Sequence, residues 1–350
     1  MPENTNQKWE VYEESNLVYG KRNQASVLIT IAIPTYRRHE LLQKALESVI
    51  HQKNAEHISY EVIVVDNEAR DEIENETYQV VRNCADKRVL YYINQENVGM
   101  MRNWNRCLKL ARGQWIALLH DDDVLDENYV SRMMDYIKAY PEAKCFVPNW
   151  REIDIDGRDI PNSKKNKRNR KLTLKWKKNG AWKVSKTDNW VMNFNFYGAP
   201  TCGMMFDKAS ALALGGFDTS FIMCADWAFC MKFREHYNVY KMNEVLGSYR
   251  WAVNTALIMA EKHLKEVIEE KFRLLDYIYA REEKYSLIKK YIKNLNYKMV
   301  SWEYCKKYEK AKEYITMSKA TGVDRIQFMA WAVFRRIYMY FREAFVIRKA

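Results

Sequence analysis

Apolar residues fill positions 27–33 (VLITIAI) almost without interruption, the pattern of a strand buried on both faces of a sheet. Pro34 predicts the end of that strand. Over 38–52 the period changes: Leu41, Leu42, Ala45, Leu46, Val49 and Ile50 recur at helical spacing, which predicts a helix with one buried face. The alternation then repeats. Residues 60–65 read as a second buried strand ending at Asp66 and Asn67, 71–84 as a polar helix, 89–93 as a third strand and 100–111 as a helix. A fourth strand at 115–119 runs into Asp121, Asp122 and Asp123, followed by a helix over about 126–139 and a strand near 144–148. Strand and helix alternating over short connections imply a parallel sheet covered by helices. In such sheets ligands sit beyond the carboxyl ends of the strands. From about residue 254 the chain turns rich in Lys, Glu, Tyr and Leu with almost no Gly or Pro, which reads as helices to about 320. A break at Thr321-Gly322 and a last helix from about 324 complete it.

Composition narrows the class. With 350 residues, 48% apolar and 29% charged, the chain can bury a sizeable core as one large or two modest domains. Eleven Gly and six Pro exclude collagen-like and low-complexity chains. A mean hydropathy of −0.53 and no uncharged apolar run of spanning length argue against a transmembrane helix, and residues 1–16 lack a secretory pattern. Seven cysteines without a CxxC pair point to a reducing, cytoplasmic setting and away from thiolate zinc; packing is the expected role of Cys202, Cys224 and Cys230. Neither HxH nor HExxH, neither GxSxG nor a Walker loop occurs, which weighs against zinc hydrolases, serine hydrolases and P-loop ATPases.

The net charge of +12 invites a nucleic-acid or anionic-membrane partner. Position dissolves most of that inference: residues 164–186 carry eleven basic residues and no acid, residues 325–350 carry a net +5, and the remainder sums to −4. Two local segments are basic; the body is not.

The chemistry concentrates at strand ends. Three adjacent carboxylates, Asp121-Asp122-Asp123, become favourable only when a cation or several donors neutralise them. Hard oxygen ligands suit Mg²⁺ or Mn²⁺; the alternative is a solvated turn leading into an acidic helix start at Asp126 and Glu127. Asp226 opens an expected helix over 227–236, where a catalytic carboxylate and a plain N-cap are the two readings.

The segments ITIAIPTYRR (29–38), YEVIVVDNEA (60–69), NVGMMRNWNRCLKLARGQWIALLHDDDVL (97–125), GGFD (215–218) and ADWAFC (225–230) together resemble family 2 glycosyltransferases of the GT-A fold, in family order over about 27–251. The resemblance implies a mixed, mostly parallel sheet flanked by helices, divided as a lead-in over 1–26, a GT-A domain over 27–253 with a basic insertion at 164–186, and a helical region over 254–350. It implies an inverting transferase that takes a sugar from a nucleotide-sugar, UDP-linked by preference, to a lipid-linked or saccharide acceptor. By position, Pro34, Thr35 and Tyr36 would cradle the base. Asp66 would accept from the ring N–H of uracil, and Asn97, Gly99 and Asn105 would face the donor. Asp121 would approach the ribose, Asp122 and Asp123 would hold Mn²⁺ or Mg²⁺ on the diphosphate, and Asp226 would take the acceptor proton.

The chain departs from the family pattern at four positions. His120 stands at the first acidic position of the strand-end motif, leaving the metal register open among Asp121, Asp122 and Asp123. Trp104 replaces an Arg, Ala225 a Glu before Asp226, and Ala252 a His after Tyr249-Arg250-Trp251. The last two support a rival: a catalytically inactive relative that binds membrane or nucleic acid through its basic segments. The retained carboxylates count against it. For 164–186, with Trp176 and Trp182 among the lysines, RNA contact, lipid contact and a mobile solvated insertion all fit. The aromatic, Arg-rich 325–350 segment suits an in-plane helix at the inner face of the membrane, with packing on neighbouring helices or a second subunit as the rival.

Overall fold

The structure, a computed structural model, describes residues 15–22, 24–69, 74–179, 184–187, 202–251 and 262–280, with individual residues between 294 and 311. Ten strands appear among them: β1 (Ser15–Tyr19), β2 (Ile29–Thr35), β3 (Tyr60–Asp66), β4 (Val89–Asn94), β5 (Trp115–Leu118), β6 (Val124–Leu125), β7 (Cys145–Ile153), β8 (Val184–Thr187), β9 (Met204–Asp207) and β10 (Val239–Arg250). They form one mixed sheet in the order β1-β4-β3-β2-β5-β9-β7-β10-β6, with β8 on β10.

β4, β3, β2 and β5 are parallel neighbours, as are β7 and β10. Between these groups β9 runs antiparallel to both β5 and β7. Two reversals restore the original direction, so the carboxyl ends of β2, β3, β4, β5, β7 and β10 share one edge of the sheet. That edge carries the polar residues.

One face is covered by α1 (His39–Ile50), α2 (Glu76–Asn83) and α4 (Tyr129–Ala139), the other by α3 (Met100–Leu110), α6 (Lys208–Ala213) and α7 (Ala225–His236). Strand alternation sorts the core. Ile29, Ile31 and Ile33 join Leu42, Leu46 and Val49 of α1, whereas Ala32 joins Trp104 and Leu108 of α3.

One expectation is corrected, and two segments acquire regular structure. Pro34 does not end β2: it pairs in register with Val65 of β3, while β5 on the other side stops at Leu118 opposite Ala32, so no neighbour there misses the absent N–H. The expected lead-in supplies β1, antiparallel on β4. The basic segment contains α5 (Lys164–Asn179) and β8. Although α5 is very polar, it docks through amides: Asn166 Nδ2 donates to Glu152 O at 2.7 Å, Asn169 Nδ2 to Trp150 O at 2.8 Å, and Asn149 Nδ2 to Asn169 Oδ1 at 2.7 Å. Lys164, Lys167, Arg168, Arg170 and Lys171 remain exposed. α8 (Leu264–Ala280) sends Leu274 into the core that contains Phe229 and Phe233 of α7. Residue 252 and the whole of 325–350 lie outside the described residues.

Candidate active site

Beyond β5 the chain turns tightly, Asp123 N donating to His120 O at 3.1 Å, and each carboxylate meets a different environment. Asp121, 7% exposed, accepts from Thr35 Oγ1 at 2.9 Å and faces Arg38 Nη1 at 3.4 Å. Burial raises its carboxyl to about 6, against the pull of Arg38. Asp122 is paired with the same guanidinium at 2.9 Å. Asp123, 1% exposed, accepts Arg250 N at 2.9 Å on Oδ1. Its Oδ2 is buried without a conventional hydrogen-bond partner, with the Cys202 thiol, a weak donor, beside it. Burial first, then the Asp122 charge, raises Asp123 well above the usual carboxylate range.

A buried unpaired carboxylate oxygen is costly unless a cation meets it. One ligand atom each from His120, Asp122 and Asp123 lie within 4.8 Å of one another. Burial also lowers the His120 imidazole, favouring the neutral, ligating form. Imidazole plus two carboxylates suits Mn²⁺ and related divalent ions, so the residues present fit a metal. His120 joins Asp122 and Asp123 in this cluster; Asp121 lies outside it, bonded to Thr35, and Arg38 Nη1 reaches both Asp121 and Asp122.

The raised carboxyls set a pH dependence. A folded-state value above the unfolded one means the native protein holds more protons, so stability falls as pH rises through that window. With chelator present, Tm is expected to be higher at pH 5 than at pH 7, because Asp121, Asp123 and Asp226 all titrate high. Mn²⁺ should reverse the order, and thermal scans at both values check it.

At the ends of β2 to β4 the residues fare unequally. Pro34 and Thr35 are buried, whereas Tyr36 is 41% exposed with Arg37 stacked 5.1 Å over its ring. Arg37 holds φ +55° and pairs with Glu68. Local strain of this kind persists where surroundings enforce it. Asp66 is 0% exposed: Tyr91 Oη donates to Oδ2 at 2.7 Å and Glu68 N to Oδ1 at 2.9 Å. These bonds tie β3 to β4, and Tyr91→Phe should cost about 2 kcal/mol, read as a lowered denaturation midpoint.

Asn97 likewise orders backbone, accepting from Asn67 Nδ2 at 2.8 Å and Gly99 N at 3.0 Å. Asn94 Nδ2 donates to Asn67 and Asn103, and Asn103 to Val65 O. Gly99 adopts φ +78°, and the place of a Cβ is open space, so the start of α3 presents bare backbone.

Asn105 Nδ2 donates to Phe217 O at 2.9 Å and its Oδ1 accepts Phe217 N at 2.8 Å, which ties the amide to the loop before α7. Trp104 packs against both the His120 ring and Phe217 at 5.1 Å, and Phe217 stacks on Phe229 of α7 at 4.3 Å. This aromatic chain links the carboxylate turn to the helix that carries Asp226. Asp226 is not an N-cap: Cys224 holds that position, and Asp226 is the second helical residue. Burial raises its carboxyl to about 6 while Lys271 opposes the rise. A carboxylate of that kind, ionised just below neutral pH, can accept a proton.

Sequence reasoning overlooked Arg38, Asn67, Asn94, Asn103 and Lys271. Arg38, Asn67 and Asn103 lie within the motifs that carry the family resemblance and Asn94 ends β4, which were available signals; Lys271 had none.

A family model described as "Glycosyl transferase family 2" matches residues 30–206, half of the chain. The chain is 28% identical over 182 residues to a Campylobacter jejuni protein named GalNAc(5)-diNAcBac-PP-undecaprenol beta-1,3-glucosyltransferase, covering 49% of this chain and 56% of that one. Against two further curated relatives it spans 63% and 40% of their length. S. aureus TarS in complex with UDP-GlcNAc shares the fold at TM-score 0.58 and 13% identity, over 84% of this chain and 78% of that one. The mannosyltransferase PcManGT from Pyrobaculum calidifontis, in complex with GDP-Man and Mn²⁺, does so at 0.54 and 16%, over 91% and 83%.

Proposed function

Because the chain belongs to glycosyl transferase family 2, we propose that it transfers a sugar, with inversion, from a UDP-sugar to a lipid-linked saccharide, with Asp226 as general base. The observation that carries this is the sheet edge itself: His120, Asp122 and the Asp123 oxygen that lacks a conventional hydrogen-bond donor lie at the β5 end, and the Trp104–Phe217–Phe229 contacts join that turn to α7. His120, Asp122 and Asp123 would hold the divalent ion, whose charge stabilises a departing diphosphate.

Each residue then has a task. Tyr36 offers an exposed ring to the base; every base has a π-face, so with Asp66 enclosed the preference for UDP rests on the likeness to TarS. Thr35 and Arg38 keep Asp121 placed and shielded for the ribose. The bare backbone at Gly99 lets the donor approach α3. Asp226 accepts the acceptor hydroxyl proton while the anomeric carbon develops positive charge, as in glycoside hydrolysis. The acceptor class follows the name of the Campylobacter relative. Contact with a membrane surface is proposed for 325–350 and for the exposed cations of α5; no helix among the described residues is long and apolar enough to cross a membrane.

The test is donor hydrolysis and transfer with UDP-sugars, GDP-mannose as the contrasting donor, and Mn²⁺ against chelator. No turnover of any donor with Mn²⁺ present would sink the reading. Since the base must be ionised, kcat should fall as pH drops through about 6 and plateau above it; a rate profile from pH 5 to 8 checks this.

A further inference from the structure

The backbone that leads into α7 is gripped by a later helix, α8. Helix starts leave N–H groups without intrahelical acceptors, and the side chain of Cys224 makes no capping bond. Glu270 of α8 supplies the acceptor across space. Ile222 N donates to its Oε1 at 2.8 Å, Met223 N to its Oε2 at 2.8 Å and Cys224 N to Oε2 at 3.2 Å. Glu270 is 7% exposed, a buried anion met by converging N–H dipoles, the setting in which carboxylate hydrogen bonds are strong.

Its neighbours on α8 extend the grip. Lys271 Nζ stands 4.1 Å over the Trp227 ring. Arg273 donates to Ser220 O at 2.6 Å and lies 4.0 Å over the Phe221 ring. Leu274 anchors the same turn in the core beneath α7. One turn of α8 therefore holds 220–227, the stretch that contains Asp226.

We propose that Glu270 is a positioning residue for transfer: by holding the N–H groups of 222–224 it sets the start of α7 and with it where the Asp226 carboxylate meets the acceptor hydroxyl. The inference rests on Asp226 as the base. A general base works only within hydrogen-bond reach of its proton, and a helix moves as a unit, so a shift at its first turn carries the carboxylate along. Misplacement by about 1 Å costs on the order of 100-fold.

The experiment uses the full chain with Glu270→Gln, Arg273→Met and Asp226→Asn. Glu270→Gln keeps the shape but sets an amide donor against N–H groups. Its kcat should fall about 100-fold with donor KM changed by no more than about twofold, and amide exchange at 222–224 should accelerate at least about tenfold while β2 and β5 stay protected. Arg273→Met, which loosens the other end of the stretch, should move both readouts the same way by less, and it serves if Glu270→Gln does not fold. Unchanged kcat, or unchanged exchange at 222–224, in a folded Glu270→Gln overturns the proposal. Should Asp226→Asn keep its activity, the base assignment fails instead, and the two failures are told apart.

Discussion

Asp226→Asn should lower kcat about 10³-fold, within the range that a positioned proton acceptor contributes, while the donor Kd stays within about twofold. The amide retains the size of the carboxyl and can still accept from Trp227 N, which bonds Asp226 Oδ1 at 2.8 Å, so the helix start should survive. Only the ability to take a proton is lost. The pH profile supplies a second signature: the fall of kcat near pH 6 disappears in whatever activity remains, because the group that titrates there is gone. Single-turnover transfer and donor-binding titrations separate the two effects. A variant with wild-type kcat would remove Asp226 from the chemistry.

Asp123→Asn should have the next largest effect, and in two opposite directions. Without metal the substitution relieves a buried charge whose Oδ2 has no conventional partner, so chelated protein should gain about 2 kcal/mol, the usual cost of leaving such a group unmet. With Mn²⁺ the order inverts. Wild type at 100 times its metal Kd gains about 2.7 kcal/mol, a gain the variant loses as its affinity falls at least about 100-fold. Thermal scans with chelator and with graded Mn²⁺ show the crossing directly, and activity should follow the metal curve. His120→Ala offers a milder version that tests whether the imidazole belongs to the ligand set. If Asp123→Asn is destabilised in chelator and responds to Mn²⁺ like wild type, the cation site lies elsewhere.

Much of this arrangement was legible along the chain, for identifiable reasons. β2 and β3 announced themselves because strands covered on both faces must be apolar almost throughout. The carboxylates at 121–123 stood out because such a cluster needs a compensating partner. Side-chain direction was not legible along the chain. Asp66 and Asn105 occupy positions that suggested donor contact, yet Asp66 is sealed by Tyr91 and Glu68 N, and Asn105 is clamped on Phe217. A polar residue at a strand end can face the crevice or tie two loops together, and only the neighbours decide.

The sequence by itself determined the family, the alternation of strands and helices, and the edge of the sheet where the chemistry lies, because these follow from local periodicity and ordered motifs. Tertiary structure alone decided which carboxylates share Arg38, which oxygen is left for a cation, that His120 stands with Asp122 and Asp123, and that α8 reaches back to hold the turn before Asp226. Most of those outcomes depend on groups far apart in the chain, such as Arg38 and α8, meeting a buried strand end; the His120 cluster depends on how one short turn folds its neighbours together, and in a low-dielectric edge a few ångströms separate a paired charge from an unpaired one.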